Sequence, residues 1–196
     1  MFDTVTEFEK QIAEFYNAPY AVATDCCTHA IELSLIHTGA NNISVPSHTY
    51  ISVPFTASKL NLDWRWRDEE WQDFYYIGNT NIIDAAVWWE QGSYIKDSLM
   101  CLSFQFKKHL SLGRGGAVLC STQDEYTALK KLSYDGRLPN VPWAEQNISS
   151  IGYHYYMTPE TAADGINKLS SARSNIPNKW CWTNYPYLPD MEVFNV

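Results

Sequence analysis

The sequence predicts an α/β domain in which a mostly parallel sheet carries helices on both faces. Three observations support this. Short apolar runs of strand length recur along the chain, as at 20–24, 82–86 and 98–103. Amphipathic stretches with a helical period stand between several of them. The 196 residues, 45% hydrophobic and 15% aromatic, suffice for one substantial core. Alternating strands and helices imply a sheet covered on both faces, with ligands gathered at the carboxyl ends of its strands.

The elements follow in order. Phe8, Ile12, Phe15 and Tyr16 recur at helical spacing, so residues 4–17 read as an amphipathic helix, with Thr4 and Glu7 spaced as a capping box. A strand at 20–24 runs through the small-polar turn Asp25, Cys26, Cys27 and Thr28 into a helix that stops at Gly39. Residues 42–46 form a strand and 50–60 a helix, with Pro54 in its first turns, where proline costs least. Strands are predicted at 62–66, 75–77, 81–86, 98–103 and 116–121, then helices at 123–132 and 159–171. Thr158 caps the last of these, and Pro159 takes its first position. The aromatic-rich stretch 175–196 has no period and reads as an extended tail.

Charge and cysteine usage exclude several classes. The net charge is -8, and the fourteen Lys and Arg are scattered, so no footprint for a nucleic-acid backbone exists. The chain contains no long apolar run, and its start is acidic, without the basic-then-apolar pattern of a signal peptide. The expectation is a soluble cytoplasmic protein without membrane contact. Five cysteines, an odd number with no Cys-x-x-Cys pair, argue for reduced thiols and against a disulfide framework or a metal site.

The most informative stretch runs from Ser103 to Gly116. A strand delivers Ser103 and, five residues on, Lys108; a turn holding Gly113, Gly115 and Gly116 then reverses the chain into another strand. Glycines there let backbone approach a ligand closely. Ser103, Phe104, Lys108, Leu110, Gly113, Gly115 and Gly116 together resemble the signature of the DegT/DnrJ/EryC1/StrS family of pyridoxal-phosphate sugar aminotransferases. Four further segments match in the same order. They are 20–30 with Thr28, 45–50 with Tyr50, 82–86 with Asp84, and 152–157 with His154.

The resemblance spans roughly residues 5–172 and implies the large domain of the aspartate aminotransferase fold (fold type I). Residues 1–174 would be the cofactor-binding domain and 175–196 the tail. It implies pyridoxal phosphate held as a Schiff base on Lys108, with Asp84 at the ring nitrogen and Tyr50 stacked on the ring. Thr28 and Ser103 would hold the phosphate, and His154 would reach the partner subunit's cofactor; His29, standing where the family has a small residue, is placed to add a ring nitrogen to the phosphate. The cofactor needs such an amine, acid and anchors, and a helix start at Thr28 suits a dianion. The implied activity is transfer of an amino group from an amino acid to a keto sugar, in a homodimer with shared active sites. Eight Trp and thirteen Tyr, more aromatic surface than one small core hides, agree with a dimer.

The match departs from the family at Cys27 for the turn glycine, and at His29, Val87, Gln105, Arg114, His154 and Tyr156. The length is that of a compact form lacking most of the family's C-terminal small domain. The competing readings are a sugar dehydratase using the same cofactor and a binding or assembly module on the same fold.

Overall fold

A computed structural model describes residues 2–195. Helix α1 (Asp3–Tyr16) buries Val5, Phe8, Ile12, Phe15 and Tyr16 and ends at Asn17, whose left-handed backbone returns its N–H to the Ala13 and Glu14 carbonyls. It starts before Thr4, so the capping box expected there does not form. The Phe2 ring packs edge-on against Tyr134 and Tyr156, drawing one more residue into the helix. Next come β1 (Tyr20–Thr24), α2 (Cys27–Thr38), β2 (Asn42–Pro46), α3 (Ser52–Lys59) and β3 (Asp63–Arg67). Gly39 closes α2 at φ 63°, a conformation that glycine adopts without a Cβ penalty.

Four short strands follow, β4 (Tyr75–Tyr76), β5 (Ile82–Asp84), β6 (Leu99–Ser103) and β7 (Gly116–Cys120), then helices α4 (Gln123–Ser133) and α5 (Pro159–Ser174). Thr122 and Glu125 form a reciprocal capping box on α4, while the Thr158 side chain accepts from Thr161 N at the start of α5, with Pro159 behind it.

The five-stranded sheet runs β1-β7-β6-β5-β4, and a separate parallel pair β2-β3 touches its edge through a bridge between Ser44 and Gly78. The expectation of a mostly parallel sheet is corrected here to a mixed one. Within the larger sheet only β5 and β6 are parallel; β1 with β7, β6 with β7, and β4 with β5 are antiparallel. A parallel return needs a crossover of about a dozen residues, usually a helix. Only residues 77–81 separate β4 from β5, and the β6–β7 connection contains no helix, so both fold back as antiparallel pairs.

Helices α1 and α5 cover one face, where Phe8 meets Phe104 edge-on among Met100, Leu102 and Leu119. Gly165 on α5 admits Phe8, since a Cβ there would stand 2.4 Å from its ring. Helix α2 covers the other face, with Ile31 and Leu33 over Ile82, Leu99, Cys101 and Val118. Full burial of each such aliphatic side chain stabilises the fold by about 1.5–3 kcal/mol. Gly116 is dictated by this packing: a Cβ there would fall 2.5 Å from the Cys26–Cys27 peptide, so only glycine lets β7 pass beneath the start of α2.

Candidate active site

The carboxyl ends of β5 and β6 and the start of α2 enclose a cavity of about 540 Å³. Thr28, Tyr50, Asp84, Ser103 and Lys108, five of the seven residues singled out from the sequence, line it together. His29 and His154 lie elsewhere.

Asp84 is the last residue of β5, held between Tyr75 of β4 and Cys101 of β6. Its Oδ2 accepts from the Tyr75 hydroxyl at 2.5 Å and its Oδ1 from Ala86 N at 2.9 Å. The Tyr75 hydroxyl also meets Thr49 Oγ1 at 2.5 Å. Because the Tyr75 proton is committed to the carboxylate, Thr49 is the donor in that contact. Burial pushes the Asp84 carboxyl up from its ordinary value, against the pull of Tyr75, the Ala86 amide and the Lys108 charge.

Lys108 rides on the loop after β6. Phe104 and Leu110 are buried on either side of it, and Phe104 N and Phe106 N donate to the Gly115 and Gly113 carbonyls. The Lys108 amide closes a turn onto Gln105 O at 2.8 Å, and Gly113 takes φ 77°. These pins leave the Lys108 side chain facing the cavity, where burial pulls its pKa down while Asp84 and Cys27 oppose the shift. The Lys108 Nζ lies 5.3 Å from the centre of the Trp180 ring. Lys107 lines the cavity as well, with its ammonium over the Phe106 ring.

The hydrogen-bond ladder of α2 begins with Ala30 N donating to Cys26 O, so the amides of residues 27–29 stand outside it at the positive end of the helix. Beside them Thr28 Oγ1 and Ser52 Oγ are 2.8 Å apart. Hydroxyls and free amides at a helix start form an anion-binding corner.

His29, expected at that corner, turns away from it. Its ring stacks on Tyr155 with centroids 3.6 Å apart, and its Nδ1 meets Asp25 Oδ1 at 2.6 Å. Burial opposes its charge, but hydrogen bonds to Asp25 and Cys26 prevail and lift its pKa to about 9. Asp25, Cys26 and His29 bring ligand-type atoms within 4.8 Å of one another. Arg114 already binds Asp25 Oδ2 at 2.8 Å, so this cluster holds two cationic side chains. His154 is exposed and bonds Asp135 through Nδ1 at 3.0 Å.

Sequence reasoning missed Tyr75, Thr49, Ser52 and Trp71, together with Trp180, Asn184 and Tyr185 of the tail, all of which line the cavity. Tyr75 carried a strand signal only. The tail is rich in aromatics, but without a period nothing in it said which of them reach the cavity.

The sequence model of the DegT/DnrJ/EryC1/StrS aminotransferase family matches residues 1–74 and 91–184. No curated protein matches the chain. Among solved structures, AtS13 from Actinomadura melliaura is similar at TM-score 0.76 and 17% identity, over 87% of this chain and 60% of that one. The sugar aminotransferase CalS13 from Micromonospora echinospora is similar at 0.72 and 14%, over 87% and 61%. The 3-amino-5-hydroxybenzoic acid synthase is similar at 0.70 and 20%, over 88% and 56%. The chain thus spans less than two thirds of the length of the structures it matches.

Proposed function

The chain belongs to the DegT/DnrJ/EryC1/StrS aminotransferase family, whose cofactor is pyridoxal phosphate, and we propose that it uses that cofactor to move an amino group from an amino acid to a keto sugar. One observation carries the reading: a buried carboxyl group, a half-buried amine and a hydroxyl-lined helix start meet in a single cavity. The donor set fits the cofactor. Asp84 would hold the ring nitrogen, Lys108 the aldehyde carbon, and Tyr50 a ring face. Thr28, Ser52, Ser103 and the first amides of α2 would hold the phosphate.

When bound, pyridoxal phosphate supplies an electron sink for the bonds of the attached amine. The chain's own residues do the rest. The Tyr75 hydroxyl and the Ala86 amide favour the ionised form of Asp84, as a cationic ring nitrogen requires. Burial favours the neutral form of the Lys108 amine, which can then take a proton from a carbon before it and return it to a neighbouring one. Trp71, Trp180 and Tyr185 line the cavity and limit its water. In this reading residues 1–174 form the cofactor-binding domain and 175–196 the tail.

A two-fold homodimer belongs to the same proposal. His154 is exposed and outside its own chain's cavity, as a residue reaching toward a partner's cofactor would be. Trp143 and Ile151 are exposed apolar side chains on the preceding loop, the kind of surface an interface covers. The five free cysteines suit a reducing compartment such as the cytoplasm, and no helix among the described residues is long and apolar enough to cross a membrane.

The test is borohydride reduction in the presence of pyridoxal phosphate, followed by peptide mapping. The label is expected on Lys108, with release of 2-oxoglutarate when glutamate is supplied to the unreduced protein. Label on Lys107 alone, or on neither lysine, overturns the proposal.

A further inference from the structure

The tail is bound to the rest of the chain at three places, the first of them beside the cavity. Asp73 N donates to Trp180 O at 2.9 Å, Trp182 N to Trp71 O at 3.1 Å, and Lys179 Nζ to Asp73 Oδ2 at 3.1 Å. Further on, His48 Nδ1 meets Tyr185 O at 2.8 Å, Leu188 N donates to Ser47 O at 2.9 Å, and the Leu188 side chain is buried. Last, the Phe194 ring packs against Trp66 and Phe55. Between the first two anchors Trp180, Asn184 and Tyr185 face the cavity, with Tyr185 against Trp71 at a centroid distance of 5.5 Å.

Trp180 is held there through its carbonyl, and its ring meets Tyr185 at a centroid distance of 6.1 Å as well as the Lys108 ammonium. The Lys108 ammonium is 5.3 Å from the centre of its ring, within the range at which the negative face of an indole attracts a cation. The other titratable groups facing Lys108 are Asp84 from β5, Cys27 from α2 and Lys107 from its own loop. Cys26, Tyr50, Tyr75 and Tyr185 line the same cavity. Among these neighbours Trp180 is the one contributed by the tail that lies against the ammonium.

We infer that Trp180 is a positioning residue for Lys108, holding the free ammonium against the tail-side wall of the cavity until a ligand takes up the amine. This rests on Lys108 being the reactive lysine of the proposed function. The tail then does more than close the cavity: its indole sets where the amine waits and at which pH it becomes neutral. Because the indole face favours the charged form, removing it lowers the pH at which Lys108 loses its proton.

The experiment uses the ligand-free full chain. Competitive trinitrophenylation, read by peptide mapping across pH, gives the midpoint for Lys108. In Trp180→Leu that midpoint is expected to fall by about 0.4 to 1.5 pH units, the span of a cation–π contact at one pH unit per tenfold change. Trp180→Phe, which keeps an aromatic face, should restore most of it. A second readout needs no folded leucine variant. Indole emission should show a step at the Lys108 midpoint in the wild type and lose it in both Trp180→Phe and Lys108→Met. An unchanged midpoint in a folded Trp180→Leu protein, or an emission step that survives in Trp180→Phe, overturns the inference. Borohydride labelling of wild-type Lys108 is unaffected by either result, so failure of the inference and failure of the proposed function are distinguishable.

Discussion

Replacing Tyr75 by Phe removes one hydroxyl and tests how the site opposes the effect of burial on the Asp84 carboxyl. That hydroxyl donates to Asp84 Oδ2 and accepts from Thr49 Oγ1, both at 2.5 Å and both buried. A hydrogen bond to a charged group contributes about 1.5–3 kcal/mol. Its loss leaves burial less opposed and raises the Asp84 pKa by about 1 to 2 further units. If Asp84 must be ionised to hold a cationic ring nitrogen, affinity for pyridoxal phosphate falls roughly 10- to 150-fold wherever the carboxyl is protonated in the variant and ionised in the wild type. The assay is an absorbance titration of the cofactor over a range of pH. Affinity should weaken as pH falls through the Asp84 pKa, and in Tyr75→Phe that weakening should begin at higher pH. Thr49→Val leaves the Tyr75–Asp84 bond in place and should do less. In an Asp84→Asn background the tyrosine substitution should cost much less, because no charge remains to support. Wild-type affinity and pH profile in Tyr75→Phe, or an equal cost in both backgrounds, would refute the reasoning.

Three other outcomes are expected. Lys130→Met strands the Glu9 carboxylate, which accepts from Lys130 Nζ at 2.8 Å and from Ala23 N at 2.7 Å and whose Oε2 has no hydrogen-bond partner among the described residues. Urea unfolding should show a loss of about 3–5 kcal/mol; because burial already raises the Glu9 pKa, the loss should grow as pH rises and shrink where the carboxyl is protonated. His29→Gln should destabilise the protein below the ordinary histidine value of 6.5, and the difference should fade as pH climbs through about 9, where the folded ring gives up its proton; equal differences at pH 6 and pH 10 would contradict the Asp25 pairing. Light scattering at micromolar concentration should report a dimer, and a strictly monomeric species would remove the role given to His154.

The order of the elements was legible because each rests on local chemistry. Thr158 followed by Pro159 marks a helix start, Gly39 a helix end, and the run from Leu99 to Ser103 a buried strand. Strand direction was not legible, since it depends on what the intervening chain fails to build. Residues 77–81 are too few for a crossover, and their Gly78-Asn79 pair is a turn signal that the sequence reading passed over, since the strands beside it are so short. Lys108, Asp84 and Thr28 stood out in sequence through the resemblance to the family's motifs; in the fold a strand end, the loop after β6 and a helix start set their positions. Tyr75 and Trp180 did not, because they reach the cavity through a hairpin and an aperiodic tail. His29 was misplaced for a similar reason. Its neighbour in sequence is the anion corner, but Tyr155, more than a hundred residues away, captures its ring.

Holding Asp84 and Lys108 in the cavity also has a cost. Burial raises the Asp84 pKa above 3.8, so in the ligand-free protein its cost is absent at low pH and present once the pH passes the raised value. Burial lowers the Lys108 pKa below 10.5, so its cost is present below the lowered value and absent above 10.5. Between the two shifted values both costs act together, reduced by the attraction of each group for the other. A ligand that offers Asp84 a cationic ring nitrogen and Lys108 a carbonyl carbon relieves both at once. Binding therefore draws on energy already stored in the fold, and the ligand should stabilise the protein by more than its contacts alone would suggest. In the proposed function this cost has a use: a buried acid and a half-buried amine brought into one cavity are arranged for what they are to bind.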